Sequence, residues 1–428
     1  MQQPTQTNRR EFVKTSTLAS VAGAMAVGAP AVLRGAVDDR KLKLGLIGCG
    51  GRGSGAASQA LNADPNTELV AMGDVFADKL EISHKALSKE HGPRVNVPEA
   101  RRFVGLDAYQ KVIDSDVDMV LLAAPGGFRP PHLKAAVEAG KHIFCEKPMA
   151  IDGPGIRSVI ESVALAKKKN LAIRSGLCMR FDPKLQEAMQ RVHGGAIGDV
   201  VAIYSSRMGG PLTKKFNGER LPGWTDLEWQ LRNWSNFLWI SGDWMMEVHV
   251  HSVDKMAWAM QDVPPVKVVA NGGKQVPVYG NIYDHFDVTY EYENGMLAAL
   301  KTRNQAGCYG EHRDVIVGTK GRCLLSWTQA VITGAEPWEY KGKRANSHQI
   351  EHDELFKDLR AGKIPNDGDK MVKSTLMAIM GRMAAYTGQQ LTWEQALNSK
   401  QSLMPANLDW NMKLEVPPVA IPGATPFV

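Results

Sequence analysis

Residues 41–53 read KLKLGLIGCGGRG. The first seven residues are mostly apolar and predict a β-strand, and Ser54–Leu61 after the glycines predict a helix. In a G-x-G-x-x-G pattern between strand and helix, Gly48 permits a tight turn, Gly50 lets the backbone approach a pyrophosphate, and Gly53 allows close packing of helix on strand. The start of the helix adds free N–H groups and a positive dipole end. The segment therefore predicts the first turn of a dinucleotide-binding Rossmann fold.

A second predicted strand, residues 68–73, ends at Asp74. Rossmann folds place an acidic residue at about this distance from the glycines, where it accepts hydrogen bonds from the adenosine ribose hydroxyls. A carboxylate there repels a 2′-phosphate, so Asp74 favours NAD over NADP. The alternative interpretation is a turn or helix-capping aspartate without a ligand.

Two more segments extend the same sheet. Residues 118–125 form a nearly continuous apolar run, which is typical of a parallel strand buried on both faces. After a predicted helix at 131–139, residues 141–145 predict another strand, which delivers Glu146 and Lys147 at its carboxyl end. Ligands of doubly wound sheets bind at that edge. We expect an N-terminal doubly wound parallel sheet, with Lys147 facing the cofactor crevice.

The second half of the chain predicts a mostly antiparallel sheet followed by terminal helices. Asn294-Gly295 between two strand patterns is a strong hairpin signal. The predicted strands are 200–207, 266–270, 284–293, 296–303, 313–318 and 322–327, and the predicted helices are 348–361, 370–387 and one that opens at 392.

One further helix carries polar residues at a regular spacing. It is predicted to start at Ser241-Gly242-Asp243, where a serine or aspartate can cap free N–H groups. Glu247, His251, Asp254 and Trp258 then recur every three or four residues, so Glu247 and His251 lie on one face, a turn apart.

These segments, in this order, resemble the glucose–fructose oxidoreductase, inositol dehydrogenase and MocA (Gfo/Idh/MocA) family. The resemblance covers residues 42–402 and rests on the glycine-rich turn, on Ala124-Pro125 with His132, on Glu146-Lys147-Pro148, and on the helix of His251. It implies a Rossmann domain, a second α/β domain with a large open sheet that often forms oligomers, and hydride transfer between NAD(P) and a sugar or cyclitol hydroxyl. The implied cofactor contacts are Gly48, Gly50, Arg52, Gly53, Asp74, Pro125, His132, Glu146 and Lys147.

The resemblance also assigns catalytic roles. Family members carry Asp-x-x-x-His-x-x-Asp on this helix, and the match places the proton-transferring histidine at His251 and the trailing acid at Asp254. Glu247 stands where the family usually has aspartate, and His249 where it often has glycine. The implied catalytic residues are Lys147, His251 and Glu247, and the implied substrate-binding residues are Arg180, His249 and Asp254.

From these roles we expect a specific mechanism. His251 removes the proton from a sugar hydroxyl, Lys147 hydrogen-bonds the developing alkoxide, and Glu247 orients the imidazole. Each residue also has a plainer interpretation, namely a surface side chain with no ligand. Residues 247–251 additionally suggest a metal site if they were extended, but on a helix His249 lies about 200° from Glu247, so we predict no metal.

Composition excludes several classes of protein. Hydrophobic residues make up 44% and charged residues 22% of the 428, as in soluble globular proteins of two or more domains. The net charge is +6, but no basic run exceeds Lys167-Lys168-Lys169, so nucleic acid is not expected as a partner. The five scattered cysteines are interpreted as small core residues rather than a disulfide framework.

The N-terminus reads as an export signal. Arg9-Arg10 precedes Phe12 and an Ala/Gly-rich, weakly apolar segment, which resembles a twin-arginine signal for proteins that are exported folded. We expect a periplasmic or otherwise exported protein with no membrane segment after signal removal, carrying its dinucleotide with it. The predicted divisions are residues 1–36 as signal, 37–155 as Rossmann domain, 156–410 as substrate domain and 411–428 as extended tail.

Three functions are compatible with these features. The first is an NAD-dependent sugar or polyol oxidoreductase with a tightly bound cofactor. The second is a glycosidase of the same scaffold, in which transient oxidation of a sugar carbon allows elimination and the hydride then returns. The third is a sugar-sensing protein on an inactive scaffold, which the presence of Lys147 and His251 disfavours. A homo-oligomer formed through the second sheet is expected in each case.

Overall fold

The computed structural model describes residues 40–211, 218–276 and 279–428. The predicted export signal, residues 1–36, lies outside the described residues. Among the described helices, none is both long and apolar enough to cross a membrane.

The first sheet contains six parallel strands in the order β3-β2-β1-β4-β5-β6. Its central strand Met119–Leu122 is apolar and buried throughout because helices cover both faces of the sheet. The strand order reverses between β1 and β4, and this opens a crevice at their carboxyl ends. The strands are β1 Leu42–Ile47, β2 Thr67–Asp74, β3 Arg102–Val104, β4 Met119–Leu122, β5 His142–Cys145 and β6 Ile173–Ser175.

Five helices pack on this sheet, and the doubly wound fold expected from the sequence is confirmed. The first of them begins at Gly51, three residues before the predicted start, because the glycines themselves enter the helix. The helices are α1 Gly51–Ala63, α2 Ala77–His91, α3 Ala108–Ile113, α4 Arg129–Glu138 and α5 Gly153–Lys168.

The first domain is longer than predicted. The boundary placed at residue 155 falls inside α5, and β6 pairs with β5, so the first sheet continues to Ser175. The sequence does not reveal this because β6 is only three residues long.

The second sheet has nine strands in the order β14-β13-β12-β11-β7-β10-β9-β8-β15. All neighbouring pairs are antiparallel except β7 with β10, which confirms the predicted, mostly antiparallel sheet. The strands are β7 Val200–Gly209, β8 Lys267–Gly273, β9 His285–Glu291, β10 Leu297–Asn304, β11 Glu311–Gly318, β12 Gly321–Ser326, β13 Ala330–Gly334, β14 Trp338–Glu339 and β15 Leu391–Thr392.

The predicted hairpin turn joins β9 to β10. Gly295 has a φ of +80°, a left-handed conformation that glycine adopts without steric cost. Its N–H donates to the carbonyl oxygen of Tyr292, and the Asn294 side chain accepts from the N–H of Met296.

Seven further helices follow the first sheet among the described residues. They are α6 Pro183–His193, α7 Asp226–Arg232, α8 Leu238–Ser241, α9 Val250–Ala259, α10 Ser347–Arg360, α11 Gly368–Thr387 and α12 Trp393–Asn398. Of these, α6, α9 and α11 cover one face of the second sheet. A π-helical turn, Met245–His249, leads into α9. Short 3-10 helices lie at Gly92–Arg94, Glu99–Arg101, Gly126–Phe128, Cys178–Phe181 and Trp234–Asn236.

Two C-terminal segments return to the first domain. Leu355, Phe356 and Leu359 of α10 are buried in the core that α1 and the first sheet form. Beyond α12, the described residues contain no further helix or strand. Trp410 and Leu414 in this extended part pack in the apolar cluster of Phe76. The carbonyl oxygen of Leu414 also accepts a hydrogen bond from the side chain of Gln230 in the second domain, so the predicted tail is held against both domains.

The cysteines are free thiols. Cys49, Cys145, Cys178 and Cys323 are buried, and Cys308 is exposed. The sequence interpretation of buried core cysteines without disulfides is confirmed for these four.

Candidate active site

A cavity of about 500 Å³ opens at the carboxyl ends of the first-sheet strands. Gly50, Pro125 and Lys147 line it from the first domain. Arg232 and Glu247 line it from the second. It therefore lies where doubly wound sheets bind dinucleotides, at the reversal of strand order.

The glycine turn has the geometry that its motif predicts. Gly48 has a φ of +93°, and a Cβ on Gly53 would lie 1.8 Å from the carbonyl oxygen of Gly48. A Cβ on Gly50, in contrast, would have no protein atom within 4 Å. Gly50 therefore faces open space beside the first turn of α1. No acidic side chain lies in that first turn, whose N–H groups attract anions.

Asp74 ends β2 and borders the same cavity. One carboxylate oxygen accepts the N–H of Cys49 at 2.6 Å, and the other accepts the N–H of Phe76 at 2.9 Å. Burial raises its pKa, and the two N–H groups partly offset that effect. Asp74 thus holds the glycine turn in place. Each oxygen keeps a second lone pair, so this role is compatible with the predicted ribose contact.

His132 and Pro125 line the cavity wall above β4. The His132 ring stacks on Tyr109 with 4.1 Å between ring centroids. Burial, followed by the nearby charge of Arg129, lowers the pKa of His132 to about 3, so the ring is neutral. Its Nδ1 atom has no hydrogen-bond partner among the described residues.

Arg129 is a structural residue that the sequence analysis missed. Only 1% of it is exposed. Its guanidinium donates to the carbonyl oxygens of Leu122 and Ala124 at the end of β4 and lies 3.5 Å from that of Pro148. It therefore joins two strand ends below the cavity. An arginine before two prolines carries no periodic signal that would have predicted this burial.

Glu146 and Arg52 form an ion pair at the edge of the cavity. The Arg52 Nε atom lies 2.7 Å from a Glu146 carboxylate oxygen. Glu146 is 3% exposed, and a Cβ on Gly176 would lie 2.7 Å from its other oxygen. Arg52 and Glu146, both predicted to contact the cofactor, thus also contact each other.

Lys147 connects the two domains. It follows β5, and its Nζ atom donates to the backbone carbonyl oxygen of Glu247 at 2.5 Å. The same ammonium lies 3.5 Å from the Glu247 carboxylate. The π-helical turn that contains Glu247 places this residue at the cavity, in keeping with the frequent occurrence of such turns at functional sites.

His251 lies one turn beyond Glu247. Burial lowers its pKa well below the ordinary value, and the charges of Lys147, His348, Lys255 and Arg207 lower it further. The imidazole is therefore neutral. The structure does not contain the predicted contact with Glu247: the Nδ1 of His251 has no hydrogen-bond partner among the described residues. Glu247 faces Lys147 instead.

His249 lies away from the cavity. It is fully buried, and its Nε2 atom is 3.3 Å from the side-chain nitrogen of Asn304 on β10. Burial, with a further contribution from Arg207, lowers its pKa to about 3. Since residues 245–249 are helical, His249 cannot share an ion with Glu247 on the opposite side of the helix.

Arg180 and Asp254 do not reach the cavity; they bind each other. Arg180 Nε donates to both carboxylate oxygens of Asp254, at 2.9 and 3.1 Å, and its other nitrogens contact Asp262. Ser374 donates to Asp254 as well. The structure thus shows these two residues as a buried ion pair that holds the segment before α6 against α9, while their substrate-binding role stays a prediction.

Several cavity residues from the second domain were not found from the sequence. Arg232 lies 3.9 Å above the ring of Phe76 and 3.2 Å from Asp78. Together with Trp234 it closes the end of the cavity near Asp74. They lie on and just after α7, a helix of seven residues that is too short to show a clear periodicity.

One group of potential metal ligands occurs among the described residues. Ligand atoms of Glu146, His348 and Glu351 lie within 4.8 Å of one another. Glu351 is fully buried, and its raised pKa results first from burial and then from Glu146. Arg52 already neutralises Glu146 at this point. In the sequence, only the pattern of residues 247–251 suggests a metal site.

Comparison with known proteins agrees with this architecture. Residues 42–177 match the family model of the oxidoreductase family with an NAD-binding Rossmann fold, and residues 185–324 match the GFO/IDH/MocA C-terminal domain. Inositol 2-dehydrogenase 4 of Saccharopolyspora erythraea is 27% identical over 265 residues, which cover 62% of this chain and 68% of that protein.

Two further similarities are to a curated relative and to a solved structure. The 2,7-anhydro-N-acetylneuraminate hydratase of Escherichia coli is 24% identical over 229 residues, which cover 53% of this chain and 56% of that protein. A solved structure of levoglucosan dehydrogenase with NADH and levoglucosan superimposes with a TM-score of 0.65 at 18% identity, covering 82% of this chain and 99% of that one. At this identity the superposition shows the shared fold alone.

Proposed function

The chain belongs to the Gfo/Idh/MocA oxidoreductase family and is an enzyme with an NAD-binding Rossmann domain. On that premise we propose that it oxidises a hydroxyl group of a sugar or polyol with NAD as a tightly held cofactor. The contact of Lys147 with Glu247 carries this proposal, because it joins the end of a Rossmann strand to the second domain at the cavity.

The cavity fits a dinucleotide. Gly50 leaves open space at the free N–H groups of α1, which suits a pyrophosphate, and Asp74 lies at the end of β2 where a ribose would bind. The carboxylate of Asp74 supports NAD over NADP, since a 2′-phosphate would meet a negative charge there. Bound in this cavity, the nicotinamide ring supplies the hydride acceptor.

The protein groups then handle the proton. A neutral imidazole can accept a proton, and the lowered pKa of His251 keeps it in that form. The Lys147 ammonium donates a hydrogen bond that stabilises the alkoxide developing on the substrate. Glu247 positions Lys147 through its backbone and carboxylate oxygens. This differs from the sequence-based hypothesis, in which Glu247 oriented His251.

A second candidate function is redox-neutral cleavage of a glycoside at the same site. The similarity to a protein named as a hydratase of an anhydro sugar favours it, because that name describes no net oxidation. In this case the transient oxidation of a sugar carbon acidifies the neighbouring C–H bond, elimination expels the aglycone as its conjugate acid, water adds to the double bond that remains, and the hydride then returns to the oxidised carbon.

One experiment separates the two. The purified chain is analysed for bound dinucleotide and is then incubated with free sugars and with aryl glycosides. Accumulation of reduced nicotinamide with a free sugar supports the dehydrogenase. Release of the aryl group without added cofactor supports the glycosidase. If neither reaction occurs with any substrate of the panel, both proposals are wrong.

We also propose that the protein is exported through the twin-arginine pathway. The motif of residues 8–14 supports this, and the signal lies outside the described residues. Replacement of Arg9 and Arg10 by lysine should retain a reporter fusion in the cytoplasm. Export of that variant at the wild-type level would refute the proposal.

We further propose a homo-oligomer through the open face of the second sheet. Tyr204, Val269 and Leu297 are 46–55% exposed on strands whose other face is buried, which leaves apolar surface for a second copy to cover. Light scattering should give a particle mass that is a multiple of the chain mass. The Tyr204→Asp variant should have a lower particle mass than the wild type. A monomer at micromolar concentration would contradict this proposal.

A further inference from the structure

A polar network lies between α9 and the helix-covered face of the second sheet. Asp314 of β11 accepts hydrogen bonds from Ser205 of β7 through one oxygen and from Lys255 of α9 through the other. All three residues are at most 5% exposed. Both oxygens of the Asp314 carboxylate thus already accept hydrogen bonds from groups other than arginine.

Arg207 lies beside this network. It is two residues beyond Ser205 on β7 and therefore on the same face of the sheet. It is half-buried, and within residues 40–211, 218–276 and 279–428 no carboxylate lies within ion-pair distance of it. Burial lowers its pKa, and Asp314 is the one charge that opposes this effect appreciably. A partly desolvated guanidinium without a counter-ion is unfavourable, so an anion from outside would be stabilised here.

An indole ring completes the group. Trp327 is 48% exposed, and its ring centroid lies 5.2 Å from the Arg207 guanidinium carbon and 4.2 Å from the His312 ring. Its backbone carbonyl oxygen, and that of Ser326, accept hydrogen bonds from the Lys184 ammonium. The Trp327 ring is therefore held at a solvent-accessible position rather than packed away.

His312 lies beside Arg207 and has a buried ring nitrogen without a partner in the described part of the chain. It faces Arg207 across the β7–β11 pair, and its Nδ1 has no hydrogen-bond partner among the described residues. Burial, followed by the charges of Lys255 and Arg207, lowers its pKa to about 2. The imidazole is therefore neutral and adds no positive charge of its own beside Arg207.

This group lies near His251, because the charges of Lys255 and Arg207 both lower the pKa of that imidazole. Lys255 is one helical turn beyond His251 on the same face of α9, and its ammonium lies 3.5 Å from His312. The residues therefore follow one another from Lys147 through His251 and Lys255 to His312 and Trp327. A second sugar unit, joined to the one that reacts at His251, would extend in this direction.

We propose that Arg207, His312 and Trp327 form a subsite for an anionic sugar unit, in which the guanidinium pairs with a carboxylate or sulfate group and the indole stacks on the sugar ring. This inference rests on the proposed function, since it names the substrate class of the same site. Planar guanidinium groups bind such anions with two parallel hydrogen bonds, and aromatic rings supply apolar area for one face of a sugar.

Calorimetry on the purified chain tests the subsite without requiring turnover. The probes are methyl glucuronide, a sulfated methyl glucoside and neutral methyl glucoside. We expect the wild type to bind the two anionic probes at least about tenfold more tightly than the neutral one. Comparison of the carboxylate with the sulfate shows which anion the guanidinium prefers.

Variants assign the effect to its residues. Arg207→Gln should remove the preference for anions, Arg207→Lys should retain part of it, and Trp327→Ala should weaken the binding of all three probes. Arg313→Gln is the matched control, because Arg313 is half-exposed on the opposite face of β11 and pairs with Glu311. It should bind like the wild type.

Equal binding of neutral and anionic probes by the wild type, or an unchanged preference in Arg207→Gln, would overturn the subsite. Failure of the proposed function can be distinguished from failure of the subsite. If the glucuronide binds through Arg207 but no sugar is turned over, the subsite stands and the catalytic proposal does not.

Discussion

The ammonium of Lys147 donates a hydrogen bond to the backbone carbonyl oxygen of Glu247, a residue 100 positions further along the chain. The contact joins the carboxyl end of β5 to the π-helical turn before α9. Lys147 is thereby held at the cavity wall, close enough to His251 for its charge to lower the pKa of that imidazole.

Replacement of Lys147 by alanine should abolish turnover but preserve the cofactor. We expect kcat/KM to fall by about a thousandfold or more, because a charged donor to the developing alkoxide is lost. Bound dinucleotide, measured after denaturing the purified protein, should be unchanged. Lys134→Ala serves as the control, since Lys134 pairs with Glu138 on the exposed side of α4. Wild-type turnover in Lys147→Ala would show that Lys147 has no catalytic role.

The pH dependence should follow the neutral form of His251. The pKa of His251 is lowered below its ordinary value of about 6.5, so the imidazole is already deprotonated at neutral pH. Activity should therefore decline only when the pH falls below the lowered pKa of His251. Lys147→Met removes a positive charge, so the His251 pKa should rise in this variant. NMR titration of the imidazole protons in both proteins measures the shift. A lower His251 pKa in Lys147→Met than in the wild type would contradict the proposed effect of the Lys147 charge.

Two glycine substitutions should separate cofactor binding from folding. Gly50→Ala places a Cβ in open space, so stability should be unchanged while affinity for NAD falls by about tenfold, because the pyrophosphate can no longer approach. Gly53→Ala places a Cβ 1.8 Å from the carbonyl oxygen of Gly48, so the turn itself must move and the protein should be destabilised. Thermal unfolding and calorimetry distinguish them. Unaltered NAD affinity in Gly50→Ala would show that the pyrophosphate does not bind beside Gly50.

Asp74→Asn should alter cofactor preference. The amide removes the negative charge that would repel a 2′-phosphate, so the ratio of NADP to NAD affinity should rise by about tenfold. Asparagine has one carbonyl oxygen and therefore cannot accept both N–H groups that Asp74 binds. We expect a loss of about 1 kcal/mol in the free energy of unfolding. Dissociation constants for both dinucleotides check the prediction, which an unchanged ratio would refute.

Asp254→Asn should destabilise the fold rather than change substrate binding. Removing the charge leaves the buried Arg180 with only Asp262 as a partner, and disrupting a buried pair costs roughly 3–5 kcal/mol. At a temperature where the variant stays folded, KM for the sugar should equal that of the wild type. A tenfold change in KM with normal stability would restore the substrate-binding role that sequence reasoning assigned to Asp254.

The sequence by itself predicted features that depend on short-range physics. The glycine pattern of residues 48–53, the apolar run of β4 and the Asn294-Gly295 hairpin each specify a local backbone geometry, and all three are present. The placement of Lys147 at a strand end follows from them, because parallel strands bring their carboxyl ends to one edge of the sheet.

Only the tertiary structure decided which side chains pair. Arg180 binds an aspartate 74 positions away, and Glu247 faces Lys147 rather than its helical neighbour His251. Arg207 has no carboxylate partner among the described residues, and the nearby Asp314 already accepts hydrogen bonds from Ser205 and Lys255. Periodicity shows which face of an element a side chain lies on. It does not show which charge from another element will reach that face, because this depends on how the two domains pack.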